Sequence, residues 1–160
     1  MAKAKLDDIL SLIETDHREV EQLFEKIQKE KSSKKIKDLF SQIYEELSLH
    51  TRAEELVFYP AMREYEETAA YIEEAEEEHD AAKILLEEMK LLEPDDSKFK
   101  SKLTELIESV QHHVEEEEEE IFSAVRESME DQELQELGQE FQQAKAKVEP
   151  DVKTASPAAK

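Results

Sequence analysis

The chain has 160 residues, a length that suits one domain with a buried core. Its formal net charge of −22 sets it against nucleic acid and anionic membrane as partners, because binding phosphate needs Lys and Arg. It has no Cys, which excludes disulfides, zinc–thiolate sites and iron–sulfur clusters and leaves His, carboxylate and Tyr to hold any metal.

Gly occurs once and Pro four times, and strong helix formers dominate, so the sequence predicts an all-helical protein. The first amphipathic segment runs from about Leu6 to Lys29, with an apolar stripe of Leu6, Leu10, Ile13, Val20 and Phe24. The second runs from about Lys35 to Tyr65, and Pro60 inside it predicts a kink or an early break. The third covers about Ala69 to Leu92 and stops at Glu93-Pro94. Pro94-Asp95-Asp96-Ser97 supplies capping residues for the fourth, from about Lys98 to Glu130. A weaker fifth pattern (Leu134, Leu137, Phe141, Ala144, Val148) predicts a short C-terminal helix laid against the others. Short connections favour an up-down-up-down four-helix bundle over residues 1–149. The tail 150–160 (Pro150 onward) is expected to be disordered. The N-terminus lacks the apolar core of a signal peptide and no stretch is long enough to span a bilayer, so a soluble cytoplasmic protein is the default.

The histidines carry the functional signal. A helix turns roughly 100° per residue, so each side chain can be placed against its own apolar stripe. His17, His50, His79 and His113 all point inward, one from each of the four segments, whereas His112 points outward. Glu54 and Glu117, each one turn beyond a His, also face the interior. The separations 17→50, 50→79 and 79→113 are 33, 29 and 34 residues, about what an antiparallel return to the same level requires. Two inward Glu and four inward His, with no inward Lys or Arg beside them, lack a cation. A pair of divalent metals supplies it, and iron, manganese or zinc suits this donor set.

Several similar strings are set aside. His17 with Glu21 and His112 with Glu116 repeat the same spacing, but Glu21 lies off the stripe and His112 on the outer face. Glu14 and Glu76, each three residues before a His, project to the side. The acidic run 115–120 reads as a solvated face apart from Glu117. Tyr44, Tyr59 and Tyr65 fit packing or interface roles better than donation to the site.

Taken together, His17, the segment from His50 to Pro60, the step Glu78-His79-Asp80 and the segment from His113 to Phe122 resemble the hemerythrin/HHE cation-binding family. The ordered H, HxxxE, H, HxxxE signature is complete between about Leu6 and Val125. The resemblance implies a non-haem centre of two iron ions with an oxo or hydroxo bridge, two bridging carboxylates (Glu54, Glu117) and terminal ligands His17, His50, His79 and His113. Manganese or zinc would satisfy the same ligands. It implies binding of O2 or a related small oxidant for storage, sensing or transport. The alternatives are an enzyme that consumes peroxide or nitric oxide, and a bundle for iron storage or regulation. The oxygen-carrying hemerythrins have a further His one turn after the one matching His79, and here that position is Lys83.

Overall fold

A computed structural model describes residues 8–159. Leu6, the first residue of the expected apolar stripe, lies outside the described residues. The described residues form helices and turns without a strand. Helix α1 spans Ile9–Lys29, α2 Ser33–Ala53, α3 Ile72–Lys90, α4 Ser97–Glu116 and α5 Asp131–Ala155. The fold is all-α, a helical bundle with an extra C-terminal helix.

Local chemistry fixes most of the helix starts. Asp8 caps α1 by accepting from Ser11 N–H at 2.9 Å, and Asp96 caps α4 by accepting from Lys98 N–H at 2.8 Å. Ser32 makes a longer capping contact to Lys35 N–H, at 3.4 Å, ahead of α2. Lys26 and Lys29 in the last turn of α1 complement the negative end of the helix dipole.

Helices α2 and α4 do not stop where their regular hydrogen bonding does. Each passes into a single π-helical turn, Glu54–Phe58 and Glu117–Ile121. There the N–H of Tyr59 donates to the carbonyl of Glu54, and the N–H of Phe122 to that of Glu117. Each widened turn buries two consecutive large side chains, Phe58 with Tyr59 and Ile121 with Phe122. Pro60 follows the first π turn, and the helix ends at Met62, so the early break expected around Pro60 is found. The second π turn runs on as Phe122–Ser128.

The core is divided. One hydrophobic cluster gathers Ile9, Ile13, Phe58, Met62, Ile72 and Phe122 with Leu134 and Phe141 of α5. The other gathers Val20, Phe24, Phe40, Leu47, Leu86, Phe99 and Leu106. Between them lie His17, His50, His79 and His113, the first three within one turn of a member of each cluster. Helix α5 packs across α1 and α2.

The C-terminus differs from expectation. Helix α5 is not short and continues through Pro150 to Ala155, where the sequence predicts a disordered tail. Proline removes one N–H from the helix, but burial compensates here. Val152 and Ser156 are both buried, Ser156 Oγ donates to Glu45 at 2.7 Å, and Lys90 Nζ donates to the Ala155 carbonyl at 2.9 Å.

Candidate metal centre

The structure brings all six sequence-predicted residues together at mid-bundle. His17, His50, Glu54 and Glu117 form one group whose donor atoms lie within 4.8 Å of one another, and Glu54, His79 and His113 form a second. The rings pair correspondingly, with centroids 5.0 Å apart for His17 and His50 and 5.1 Å for His79 and His113. Glu54 and Glu117 are fully buried.

Each central carboxylate touches both His pairs. Glu54 Oε1 is 3.3 Å from His50 Nε2 and 3.0 Å from His79 Nε2. Glu117 reaches His17 Nε2 through Oε1 at 3.0 Å and His113 Nε2 through Oε2 at 3.6 Å. The halves α1–α2 and α3–α4 are thus related by an approximate two-fold.

Every imidazole is also held from behind. Nδ1 of His17 meets Glu118 at 2.6 Å, that of His50 meets Asp16 at 2.9 Å, that of His79 meets Glu55 at 2.9 Å and that of His113 meets Glu78 at 2.6 Å. An ionised carboxylate only accepts, so Nδ1 donates in all four and Nε2 is aimed at the centre. Sequence reasoning missed these four carboxylates. Their signal is adjacency: Asp16 and Glu78 immediately precede an inward His, and Glu55 and Glu118 immediately follow an inward Glu. A step of one residue turns about 100° around the helix, toward the imidazole of the neighbouring helix.

Three of the four outer carboxylates carry a cation of their own. Arg18 binds Glu118, Lys83 donates to both oxygens of Glu55 at 3.0 Å, and Lys145 of α5 binds Asp16. Lys83 therefore turns away from the centre and steadies the partner of His79. Tyr59 is fully buried with its hydroxyl 3.0 Å from His79 Nε2, so it does face the site. Tyr44 and Tyr65 instead donate to Glu87 and Glu133, away from it. His112 is 67% exposed and Glu14 is exposed, as their facing predicts.

The electrostatics follow from this packing. Burial pushes the Glu54 carboxyl up, but His50 and His79 outweigh it and hold it well below the usual range. Burial and then the charge of Glu54 push Glu117 up, against the opposing pull of His113 and His17. Burial disfavours the imidazolium of His50, yet Glu54 and Asp16 hold it well above the ordinary imidazole value. His79, buried but facing Glu54 and Glu55, is pushed up to about 9.

The donor set fits a metal. Nε2 of His17, His50 and His113 and both oxygens of Glu54 and Glu117 are buried without a hydrogen bond of good geometry. Each such group costs roughly 1–3 kcal/mol if left unmatched. Cations at the centre would satisfy them together.

A small cavity of about 30 Å³ adjoins the imidazoles, walled on its apolar side by Val20, Leu47, Ala82, Val110 and Val114. A surface groove of about 360 Å³ between α2 and α3, edged by Asp151, Val152 and Ala155 of α5, shares Leu47, Thr51, His79 and Ala82 with that cavity.

A helical bundle with a central layer of His and Glu defines a cation-binding class, and comparison with known proteins gives the family. The family model described as the hemerythrin HHE cation binding domain matches residues 8–125, and the chain belongs to that family. A DNA nickase of Nostoc sp. is 33% identical over 142 residues, covering 89% of this chain, which spans only 40% of that protein. An uncharacterized hemerythrin-like protein of Schizosaccharomyces pombe is 27% identical over 143 residues, covering 88% of this chain and 70% of its own. The crystal structure of a hemerythrin HHE cation binding domain-containing protein from Mycobacterium kansasii shares the fold, with a TM-score of 0.80 at 22% identity over 92% of each chain. Among the described residues no helix is long and apolar enough to cross a membrane.

Proposed function

We propose that this chain binds two metal ions, iron in this reading, and takes up O2 or a related small oxidant beside them. His17 and His50 would hold one ion and His79 and His113 the other, and Glu54 and Glu117 would contribute to both. The observation that carries the reading is that each buried carboxylate reaches an imidazole of both halves. Bound iron would supply redox and Lewis-acid chemistry. The outer carboxylates hold each Nδ1 proton and keep Nε2 free to face inward. The two hydrophobic clusters exclude bulk water. Tyr59 brings a hydroxyl to the His79 side, where Lys83 supplies no ligand.

Cavity size sets the ligand class. One water needs roughly 10–15 Å³ of such space. About 30 Å³ has room for a diatomic molecule or a peroxide. The same size argues against iron storage beyond the pair. The groove between α2 and α3, which shares Leu47, Thr51, His79 and Ala82 with the cavity, is the proposed route by which such a molecule would arrive.

A second reading is an enzyme that consumes peroxide or nitric oxide, favoured by the buried Tyr59 hydroxyl against His79. Nicking of DNA is disfavoured for this chain by its net charge of −22, which repels phosphate. Protein loaded with Fe²⁺ under argon and titrated separately with O2, peroxide and nitric oxide tests the readings. Saturable uptake without turnover supports carriage or sensing, and sustained consumption above the rate of free iron supports the enzyme. No spectral response to any of the three removes both.

A further inference from the structure

Helix α5 lies beyond residues 8–125, the extent of the family match, yet two of its side chains reach the centre. The Phe141 ring stands edge-on to His50, with centroids 6.0 Å apart. Lys145 extends over the same Phe141 ring, and its Nζ donates to the two oxygens of Asp16 at 2.7 and 2.9 Å. Asp16 is 6% exposed, and its Oδ2 also accepts from His50 Nδ1 at 2.9 Å. Lysine, aspartate and imidazole thus form one line from α5 through α1 to α2.

In the other half Lys83 holds Glu55, the partner of His79, but the position that corresponds to Asp16 lacks such a cation among the described residues. Glu78, which holds His113 as Asp16 holds His50, has no Lys or Arg partner among the described residues and otherwise meets the exposed His112 at 3.6 Å. The approximate two-fold that relates the inner donors is therefore broken one layer further out.

We propose that Lys145 is a positioning residue for the metal centre, acting through Asp16 to fix His50 and so strengthening metal binding at the position served by His17 and His50. The inference rests on the two-metal reading above. The physical reason is orientation. Without Lys145 one oxygen of a buried carboxylate loses its donor, Asp16 turns toward water, and the His50 ring is no longer held with Nε2 inward. Loss of such an outer partner typically weakens metal binding 10–100-fold, and Lys145 stands one bond further out than most.

The test is an anaerobic Co²⁺ titration of the full chain, followed by the visible bands of the bound ion. For the unaltered chain two binding steps are expected. Lys145→Met should weaken one step about tenfold and leave the other in place, the low end of that range. Lys145→Arg should restore it, and adding Asp16→Asn to Lys145→Met should weaken binding less than Asp16→Asn does alone. Val148→Ala loosens α5 at a buried contact while keeping the ion pair, so it should lower the Tm and leave both steps unchanged. The inference is overturned if Lys145→Met spares both steps or weakens both equally, if Arg fails to restore binding, or if Val148→Ala matches Lys145→Met. An unaltered chain that binds no Co²⁺ overturns the two-metal reading itself, and this inference with it.

Discussion

At each inward histidine one ring nitrogen is anchored by a carboxylate from a neighbouring helix and the other faces Glu54 or Glu117. This arrangement separates residues that matter from look-alikes with the same spacing. We expect His50→Ala or Glu54→Ala to lower bound metal and His112→Ala to leave it unchanged, as read by elemental analysis. Equal loss in all three would mean that facing does not define the site. Charge within the metal-free centre also has a consequence for pH. The folded value of His79, about 9, lies above the ordinary 6.5, so its contribution is full below pH 6.5 and is lost as pH rises through 9. Chelator-treated protein should therefore lose stability between pH 6.5 and 9.5, by on the order of 3 kcal/mol from this group in urea melts. A flat or rising profile would contradict the pairing. The six inner residues were legible in the sequence because each falls on the apolar stripe of its own helix. Asp16, Glu55, Glu78 and Glu118 were not, because they project sideways and look like any of the 43 acidic residues of a strongly charged chain.

At the scale of elements, four helices supply the centre and the fifth closes it. Periodicity, capping residues and Pro94 placed the four helices within a few residues only when the π turns and the short helical ends after α2 and α4 are counted with them. The π turns were not legible, since no residue type marks an i→i+5 bond. Pro60 gave the only sign that α2 departs from regularity. Proline also misled at position 150, where docking of Val152 and Ser156 outweighs one missing N–H. Helix α5 is thus part of the bundle, and its central contact can be removed. Phe141 is 1% exposed and joins α5 to the cluster below the His layer. Phe141→Ala should cost roughly 3–5 kcal/mol and lower the Tm by about 10 °C in calorimetry. A change within about 0.5 kcal/mol, typical of a surface site, would mean that α5 does not dock as described. Access belongs to the same scale, because Ser48 of α2 lines the groove that adjoins the cavity. Ser48→Trp should slow oxidation of the Fe²⁺-loaded protein in stopped flow without lowering metal content, and an unchanged rate would place the route elsewhere.

For the molecule as a whole, two apolar clusters sandwich a layer of buried His and Glu whose unmatched donor atoms metal ions would satisfy, and the chain carries a strongly negative net charge. In the proposed reading that charge would draw metal ions inward and repel nucleic acid. Duplex DNA at about 0.15 M salt should be neither retarded nor nicked by this chain, in contrast to what the name of the Nostoc DNA nickase implies for that protein. A retarded or nicked band would show that charge does not govern partner choice here. The central claim, a pair of metal ions between Glu54 and Glu117, is tested most directly by elemental analysis and the visible spectrum of protein produced in iron-supplemented medium. About two irons per chain, with near-ultraviolet bands of a bridged iron pair, is the predicted result. No bound metal, together with no loss of helical stability on adding chelator, would contradict it and leave the His/Glu layer as a polar network of the core.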